Sequence, residues 1–138
     1  MSAKENKKVQ QQVFEALNRQ DANGAGELSA PECKFYGFVS QALDLEGYIQ
    51  FTNGSFSIFP DLQFTIEDMV AEGDKVTTRF TEHGTQLGEM MGAPASGKRI
   101  TVTGMSISRF KNGKIVEVWG EFDRLGMLQQ LGLISTAG

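Results

Sequence analysis

The spacing of apolar residues changes once along this chain, at Pro60, and that change limits the possible folds more than any other feature. Before it, apolar residues such as Val9, Val13 and Leu17 recur every three to four positions, which is typical of a helix with one buried face. Beyond it, apolar and polar residues alternate, as they do in strands whose side chains point to opposite faces in turn. Helices followed by strands predict an α+β domain, in which N-terminal helices cover one face of an antiparallel sheet.

The N-terminal part is predicted to supply the helices. A first helix is expected over about residues 9–20, and the Asp-Ala-Asn-Gly-Ala-Gly turn that follows should end it. Residues 27–38 are ambiguous, with Pro31 expected to open a short helical turn. From Leu45 the spacing is again helical, and Pro60 ends that run because proline breaks a helix.

Four strands are predicted in the second half, each separated from the next by turn residues. They cover residues 63–71, 75–83, 100–110 and 114–122. Asn112-Gly113 between the last two is a strong hairpin signal. A two-residue turn would place Ser106 beside Trp119, whereas a three-residue turn with a bulge would place Met105 there, and the sequence leaves both registers open. A short helical segment over about residues 125–131 follows the last strand.

Composition predicts a single domain and excludes several classes of partner. A chain of 138 residues can bury a real core, so residues 9–138 are expected to form one domain, preceded by a flexible segment over residues 1–8. The formal net charge is −4 and no basic stripe occurs, which argues against binding to nucleic acid or to an anionic membrane. The lone Cys33 excludes an internal disulfide. With a polar N-terminus and no apolar run long enough to span a bilayer, a cytoplasmic location is expected.

The last strand carries the most informative pattern for function. Strand geometry puts four of its residues on one face: Glu117, Trp119, Glu121 and Asp123. Carboxylates beside a tryptophan are unusual in a packed core. Such a face fits either the wall of a pocket with polar tips or a solvated surface, and the alternation itself does not choose between them.

Several segments in a fixed order resemble one family. They are Phe59-Pro60-Asp61-Leu62, Glu72-Gly73-Asp74-Lys75-Val76, Gly84-Thr85-Gln86-Leu87-Gly88-Glu89, Gly92-Ala93-Pro94, Gly97-Lys98-Arg99, the Gly113–Trp119 strand and the run from Asp123 to Gly132. Together they resemble the SnoaL-like polyketide cyclases, also called the ester cyclase family, in the nuclear transport factor 2 superfamily. The resemblance implies a cone-shaped α+β barrel in which a curved sheet wraps around the helices and leaves a pocket.

The resemblance also implies a chemistry. In such cyclases an aspartate at the end of the last strand is the general acid/base of an intramolecular aldol ring closure, and Asp123 matches that position. No metal and no organic cofactor are implied. Asp123 directly before a helical run is also a favoured N-cap, a reading compatible with catalysis. The chain departs from the family at Gln86, where members often carry histidine.

Further residues are candidates for the pocket. Trp119 is interpreted as part of its wall, and Glu121 as either a second pocket carboxylate or a solvated residue. His83 is the only histidine and ends a predicted strand, where it could reach a pocket rim. Four more apolar or aromatic residues could line the pocket, although core packing would equally explain most of them: Tyr36, Phe51, Met90 and Met105.

Two functions remain open at this stage. The first is a cofactor-free cyclase or isomerase that acts on a hydrophobic, carbonyl-rich small molecule, with Asp123 as general acid/base. The second is a non-catalytic module whose pocket holds an apolar ligand, which is favoured by Gln86 in place of histidine and by the poor match around Tyr36. A homodimer is expected in either case, because members of the superfamily pair through their sheets.

Overall fold

The computed structural model describes residues 2–135. In chain order the elements are α1 (Ala3–Asn18), α2 (Ala22–Gly26), β1 (Ser29–Tyr36), α3 (Leu45–Ile58), β2 (Gln63–Glu72), β3 (Lys75–Thr85), β4 (Arg99–Lys111), β5 (Lys114–Phe122) and α4 (Arg124–Gln130). Within this part of the chain, no helix is both long and apolar enough to cross a membrane.

The strands form one curved sheet in the order β1-β5-β4-β3-β2. The four strands from β2 to β5 pair antiparallel with their neighbours in sequence, whereas β1 pairs parallel with β5. The sheet is therefore mixed, with β1 and β2 as its two edges, and it is not closed. The predicted α+β class is confirmed, and the four predicted strands are present with ends that shift by two residues or fewer.

The first helix begins earlier than the apolar spacing indicated. The Ser2 hydroxyl accepts a hydrogen bond from the Glu5 backbone N–H, and the Glu5 carboxylate accepts one from the Ser2 backbone N–H. This capping box starts α1 at Ala3, so residues 3–8, which the sequence assigned to a flexible segment, form the first turns of that helix. Residue 1 of that segment and residues 136–138 of the expected domain lie outside the described residues.

The ambiguous region after the first helix is also different from the prediction. Pro31 opens no helical turn, because Ser29–Tyr36 form the edge strand β1. Proline lacks a backbone N–H and is tolerated at the edge of a sheet, where no further strand needs that donor. Cys33 and Phe35 alternate with exposed residues and face the core.

The β4–β5 hairpin has a register that neither predicted turn would produce. Asn112 and Gly113 have φ angles of 51° and 79°, as a two-residue type I′ turn requires. The pairing then shifts by one residue at Val116, which forms a bulge on β5. Because of this shift, Ile107 lies opposite Trp119.

The core lies between the helices and the concave face of the sheet. On that face Phe80 packs beneath α1, with its ring centroid 5.5 Å from that of Phe14. Phe64 on β2 completes this aromatic group, 5.8 Å from Phe14 and 5.9 Å from Phe80. A second cluster around Leu62 and Leu131 closes the other end of the sheet. Between the two clusters the side chains leave an internal cavity.

Candidate functional site

The cavity on the concave side of the sheet has two connected chambers. The inner chamber, under α1, has a volume of about 90 Å³, and the outer chamber, toward α4, has about 450 Å³. Both are bounded by the same six residues where they meet, at a constriction that we call the waist: Phe38, Phe51, Ser55, Leu62, Glu82 and Phe122. The outer chamber alone has the size of a small-molecule site.

Aromatic rings give the waist its shape. Phe38, in the connection from β1 to α3, contacts Phe51 of α3 edge-on at 5.7 Å and Phe122 of β5 at 5.4 Å. Tyr48 supports Phe38 from behind, at 5.7 Å, and stacks on Phe35 at 4.1 Å. Edge-to-face and stacked pairs of this kind fix ring positions, so the waist is a rigid apolar frame.

Glu82 is the ionisable residue in this frame. It lies on β3 between Phe64 of β2 and Val102 of β4, and it faces the cavity because it has the same strand parity as Phe80. Within residues 2–135 no hydrogen bond or ion pair holds its carboxylate. Burial raises the pKa of Glu82 to about 7, and the positive charge of Arg124 opposes that rise.

Arg124 organises the mouth of the outer chamber. Its guanidinium donates hydrogen bonds to the carbonyl oxygens of Gly37, at 2.7 Å, and Phe38. The same group lies 5.6 Å from the centre of the Phe122 ring, within cation–π range. Arg124 thus connects the start of α4 to the β1–α3 connection through these hydrogen bonds. Its positive charge also lowers the pKa of Glu82.

The arrangement is suited to proton transfer. A carboxyl group with a pKa close to neutrality can take up or release a proton at physiological pH, and an apolar surrounding strengthens its interactions with a bound molecule. Among residues 2–135 there is no group of three or more His, Cys, Asp or Glu side chains that could hold a metal ion.

The face of β5 that carries Trp119 is the outer, convex face of the sheet. Trp119 is 37% exposed and stacks on Tyr36 of β1 at 6.0 Å, while Met105 on β4, which pairs with Glu121, is 55% exposed. Trp119, Met105 and Glu121 border a shallow groove on this outer face, away from the interior cavity. Four residues proposed for the pocket from the sequence therefore line neither chamber of the interior cavity: Tyr36, Met105, Trp119 and Glu121. Carboxylates stay on the hydrated side because burying them without a partner is costly.

Asp123 lies at the end of β5 and caps α4. Its carboxylate accepts a hydrogen bond from the Gly126 backbone N–H at 2.9 Å, and its side chain is exposed. It borders the outer groove and does not line either chamber. The N-cap reading is confirmed, while the catalytic role of Asp123 stays a prediction.

The other three predicted pocket residues are divided between the two faces. Phe51 lies at the waist, and Met90 lines the outer chamber from the loop between β3 and β4. His83 has the opposite strand parity to Glu82 and lies on the outer side, where its Nδ1 is 3.4 Å from the Thr101 hydroxyl.

Sequence reasoning missed Glu82, although the strand carried a signal for it. Val76 and Phe80 mark the apolar face of β3, and Glu82 continues their alternation. A carboxylate in the buried register of a strand is the anomaly that identifies a candidate site.

The curved sheet and the apolar cavity on its concave side define a class of protein, the cone-shaped α+β domains with an interior pocket. The model of the SnoaL-like polyketide cyclase family matches residues 7–131, and the chain belongs to that family. The resemblance indicated by the sequence motifs is thereby confirmed.

Several solved structures have the same fold. AclR of Streptomyces galilaeus, provisionally assigned as a hydroxylase, superposes with a TM-score of 0.90 at 29% identity, covering 97% of this chain and 100% of its own. IdmH of Streptomyces antibioticus, provisionally assigned as a polyketide cyclase, has a TM-score of 0.83 at 32% identity, covering 92% and 98%. TsrD of Streptomyces laurentii has a TM-score of 0.86 at 29% identity, covering 97% and 99%. No curated protein sequence matches the chain significantly.

Proposed function

We propose that this protein catalyses proton transfer at a carbonyl-bearing, hydrophobic small molecule in the interior cavity, as the first step of an intramolecular aldol ring closure. Glu82 is the general acid/base of the proposed reaction. The observation that carries this assignment is the position of its carboxyl group at the apolar waist, where burial raises its pKa to about 7. A group with that pKa is matched to neutral pH.

The proposed step is balanced without a co-reactant. The Glu82 carboxylate removes a proton from the carbon next to a substrate carbonyl, which leaves an enolate. The enolate carbon attacks a second carbonyl of the same molecule, so that a carbon–carbon bond forms and an alkoxide appears. The protonated Glu82 then returns its proton to that alkoxide. The product is an isomer of the substrate, and the carboxylate is regenerated.

The family supports ring closure as the overall reaction. The chain belongs to the SnoaL-like polyketide cyclases, and IdmH, at 32% identity, has been provisionally assigned as a cyclase. AclR, at 29% identity, has been provisionally assigned as a hydroxylase. Because the two assignments differ, the decisive test measures proton transfer itself and not a particular product.

Deuterium exchange into 2-tetralone provides such a test. This bicyclic ketone is apolar and has exchangeable hydrogens beside its carbonyl, and NMR follows their replacement in D₂O. The parent protein is expected to accelerate the exchange, with a rate that rises with pH and is half-maximal near pH 7, where Glu82 ionises. Glu82→Gln is expected to lower the rate by about 100-fold or more, since it removes the general base.

Asp123→Asn is the matched control. Asparagine is also a good N-cap, so this change removes the carboxylate and preserves the start of α4. Its exchange rate is expected to stay within about twofold of the parent, because it lies outside both chambers. If the rate is lost with Asp123→Asn and kept with Glu82→Gln, the catalytic role belongs to Asp123. Binding of 2-tetralone without any exchange would indicate the non-catalytic module instead.

We also infer that the outer face of the sheet pairs with a second copy of the chain. Three large apolar residues on adjacent strands are exposed there, with exposed fractions of 55% for Met105, 38% for Ile107 and 37% for Trp119. A contiguous apolar patch of this kind on a sheet face is typical of an interface.

Sedimentation tests the dimer. The parent is expected to sediment as a species of about 30 kDa, twice the 15.1 kDa of one chain. Ile107→Asp introduces a charge into the patch and is expected to give a monomer of 15.1 kDa. Leu87→Asp changes a side chain that is 58% exposed in a loop outside the sheet face, and it should leave the dimer intact. A monomeric parent would contradict the inference.

A further inference from the structure

The buried stripe of α1 carries two polar side chains, Asn6 and Gln10, and of these Gln10 lines the cavity. Gln10 is 4% exposed, in line with Phe14 and Leu17, and it lines the inner chamber. Its Oε1 atom has no hydrogen-bond partner among residues 2–135. A buried amide without a partner lowers stability, so an amide kept in the wall of an apolar chamber calls for a functional reason.

Two serines line the same chamber opposite the helix. Ser106 and Ser108 lie two residues apart on β4, both face inward, and they are 9% and 1% exposed. Thr78, which pairs with Ser106 across the sheet, is fully buried, and its hydroxyl also lacks a partner among residues 2–135. Amide and hydroxyl groups thus lie at the inner end of the cavity, whereas aromatic rings surround the waist.

This polar end is separated from Glu82. Glu82 pairs with Val102 on β4, and Ser106 follows Val102 by four residues. Four residues of strand span about 13 Å. The inner chamber of about 90 Å³ has room for roughly six water-sized groups, enough for one six-membered ring or a short arm.

We propose that Gln10, Ser106 and Ser108 form a specificity subsite that binds a hydroxyl group at the inner end of the ligand. The proposal deepens the function proposed above, on which it rests for the presence of a small molecule in the cavity. The amide of glutamine and the hydroxyl of serine each donate and accept hydrogen bonds, which is what a ligand hydroxyl needs. A hydroxyl bound by these three side chains fixes which part of the ligand reaches Glu82.

The same features define the class of ligand. An anionic or cationic end is disfavoured, because it would lose its hydration with no opposite charge at the inner end. The subsite therefore selects a neutral, largely apolar molecule with a hydroxyl at one end and a carbonyl roughly 13 Å away, beside Glu82. The bulk of such a molecule occupies the outer chamber of about 450 Å³.

Two probes of nearly equal shape test the subsite. 2-Naphthol carries a hydroxyl where 2-methylnaphthalene carries a methyl group, and fluorescence titration gives the dissociation constant of each. The measured quantity is the preference, the ratio of the constant for the methyl probe to that for the hydroxyl probe. Gln10→Leu is expected to lower this preference about five- to tenfold, the effect of one lost hydrogen bond to a buried group. Gln12→Leu, an exposed position on the same helix, should leave it unchanged.

Three results would overturn the subsite: an unchanged preference in Gln10→Leu, a preference lost in Glu82→Gln instead, or no binding of either probe to the parent. Gln10→Leu is expected to fold with a raised Tm, because leucine removes a buried amide that has no partner. Should it fail to fold, Ser108→Ala replaces it and the same loss of preference is required. The preference is independent of turnover, so a failure of the proposed catalysis appears only in the exchange assay.

Discussion

The Glu82→Gln variant is expected to be more stable than the parent at pH 8, by on the order of 3 kcal/mol in the free energy of unfolding, and about equally stable at pH 4. Burial raises the pKa of Glu82 from an ordinary 4.5 to about 7 in the folded protein. Between these two values the folded protein keeps a proton that the unfolded chain releases. The contribution of Glu82 to stability is therefore lost as pH rises through this window, and above pH 7 the buried charge is a full penalty. Glutamine carries no charge, so the variant does not have this free-energy cost.

Urea unfolding at pH 4 and pH 8 measures the difference. Other carboxylates titrate in both proteins, so their effects cancel when parent and variant are compared at one pH. Glu72→Gln makes the same chemical change at an exposed position at the end of β2 and should alter stability by less than about 0.5 kcal/mol at either pH. An equal difference between parent and Glu82→Gln at both pH values would mean that Glu82 titrates normally. The proposed catalytic group would then lose its physical basis.

Gly37→Ala is expected to destabilise the fold by about 3 kcal/mol or more, since it combines backbone strain with a clash. Gly37 has a φ angle of 88°, a conformation that residues with a side chain rarely adopt. A Cβ atom built there would lie 1.9 Å from the carbonyl oxygen of Gly120, and a backbone atom in the middle of β5 cannot move aside cheaply. The change would also displace the Gly37 carbonyl that accepts a hydrogen bond from Arg124 at the cavity mouth.

Gly54→Ala provides the comparison. Gly54 lies in α3, where an added Cβ would contact nothing within 4 Å. Alanine is the better helix former, so this variant is expected to gain about 0.5–1 kcal/mol in the free energy of unfolding. If urea unfolding shows a lower free energy of unfolding for Gly37→Ala and a higher one for Gly54→Ala, the close approach of Gly37 to β5 contributes to stability. A Gly37→Ala protein as stable as the parent would contradict the geometry described for this connection.

Local patterns predicted the elements that depend on local physics. Alternation between Gln63 and Phe122 identified four strands to within two residues, because the two faces of a strand repeat every second position. The start of α1 was predicted too late, since its first turns are polar and their signal is the Ser2–Glu5 capping box. The strand β1 was not predicted, because its partner strand, β5, is distant in sequence and Pro31 suggested a turn.

The candidate site was harder to predict than the fold. The family resemblance indicated that a pocket exists, and the position of Phe51 at its waist agrees with the candidate list. The same list placed Trp119 and Glu121 in that pocket, while the structure places them on the convex face. Glu82 has no unusual neighbour in sequence. Its setting arises from Phe38, Phe51 and Phe122, which come from three separate elements.

The sequence predicts which residues share a face along each regular stretch of strand, because the alternation of side chains is a property of the extended backbone, but not across the Val116 bulge, where Ile115 and Val118 both line the inner chamber. It also determined the order of helices and strands and, through its motifs, the family. Which face of the sheet is the inner one is set by tertiary packing. The inner face depends on where α1 and α3 pack and on the curvature of the sheet, and local sequence patterns predict neither. The pKa of Glu82 follows from the same decision, since burial raises it and no neighbour in sequence does.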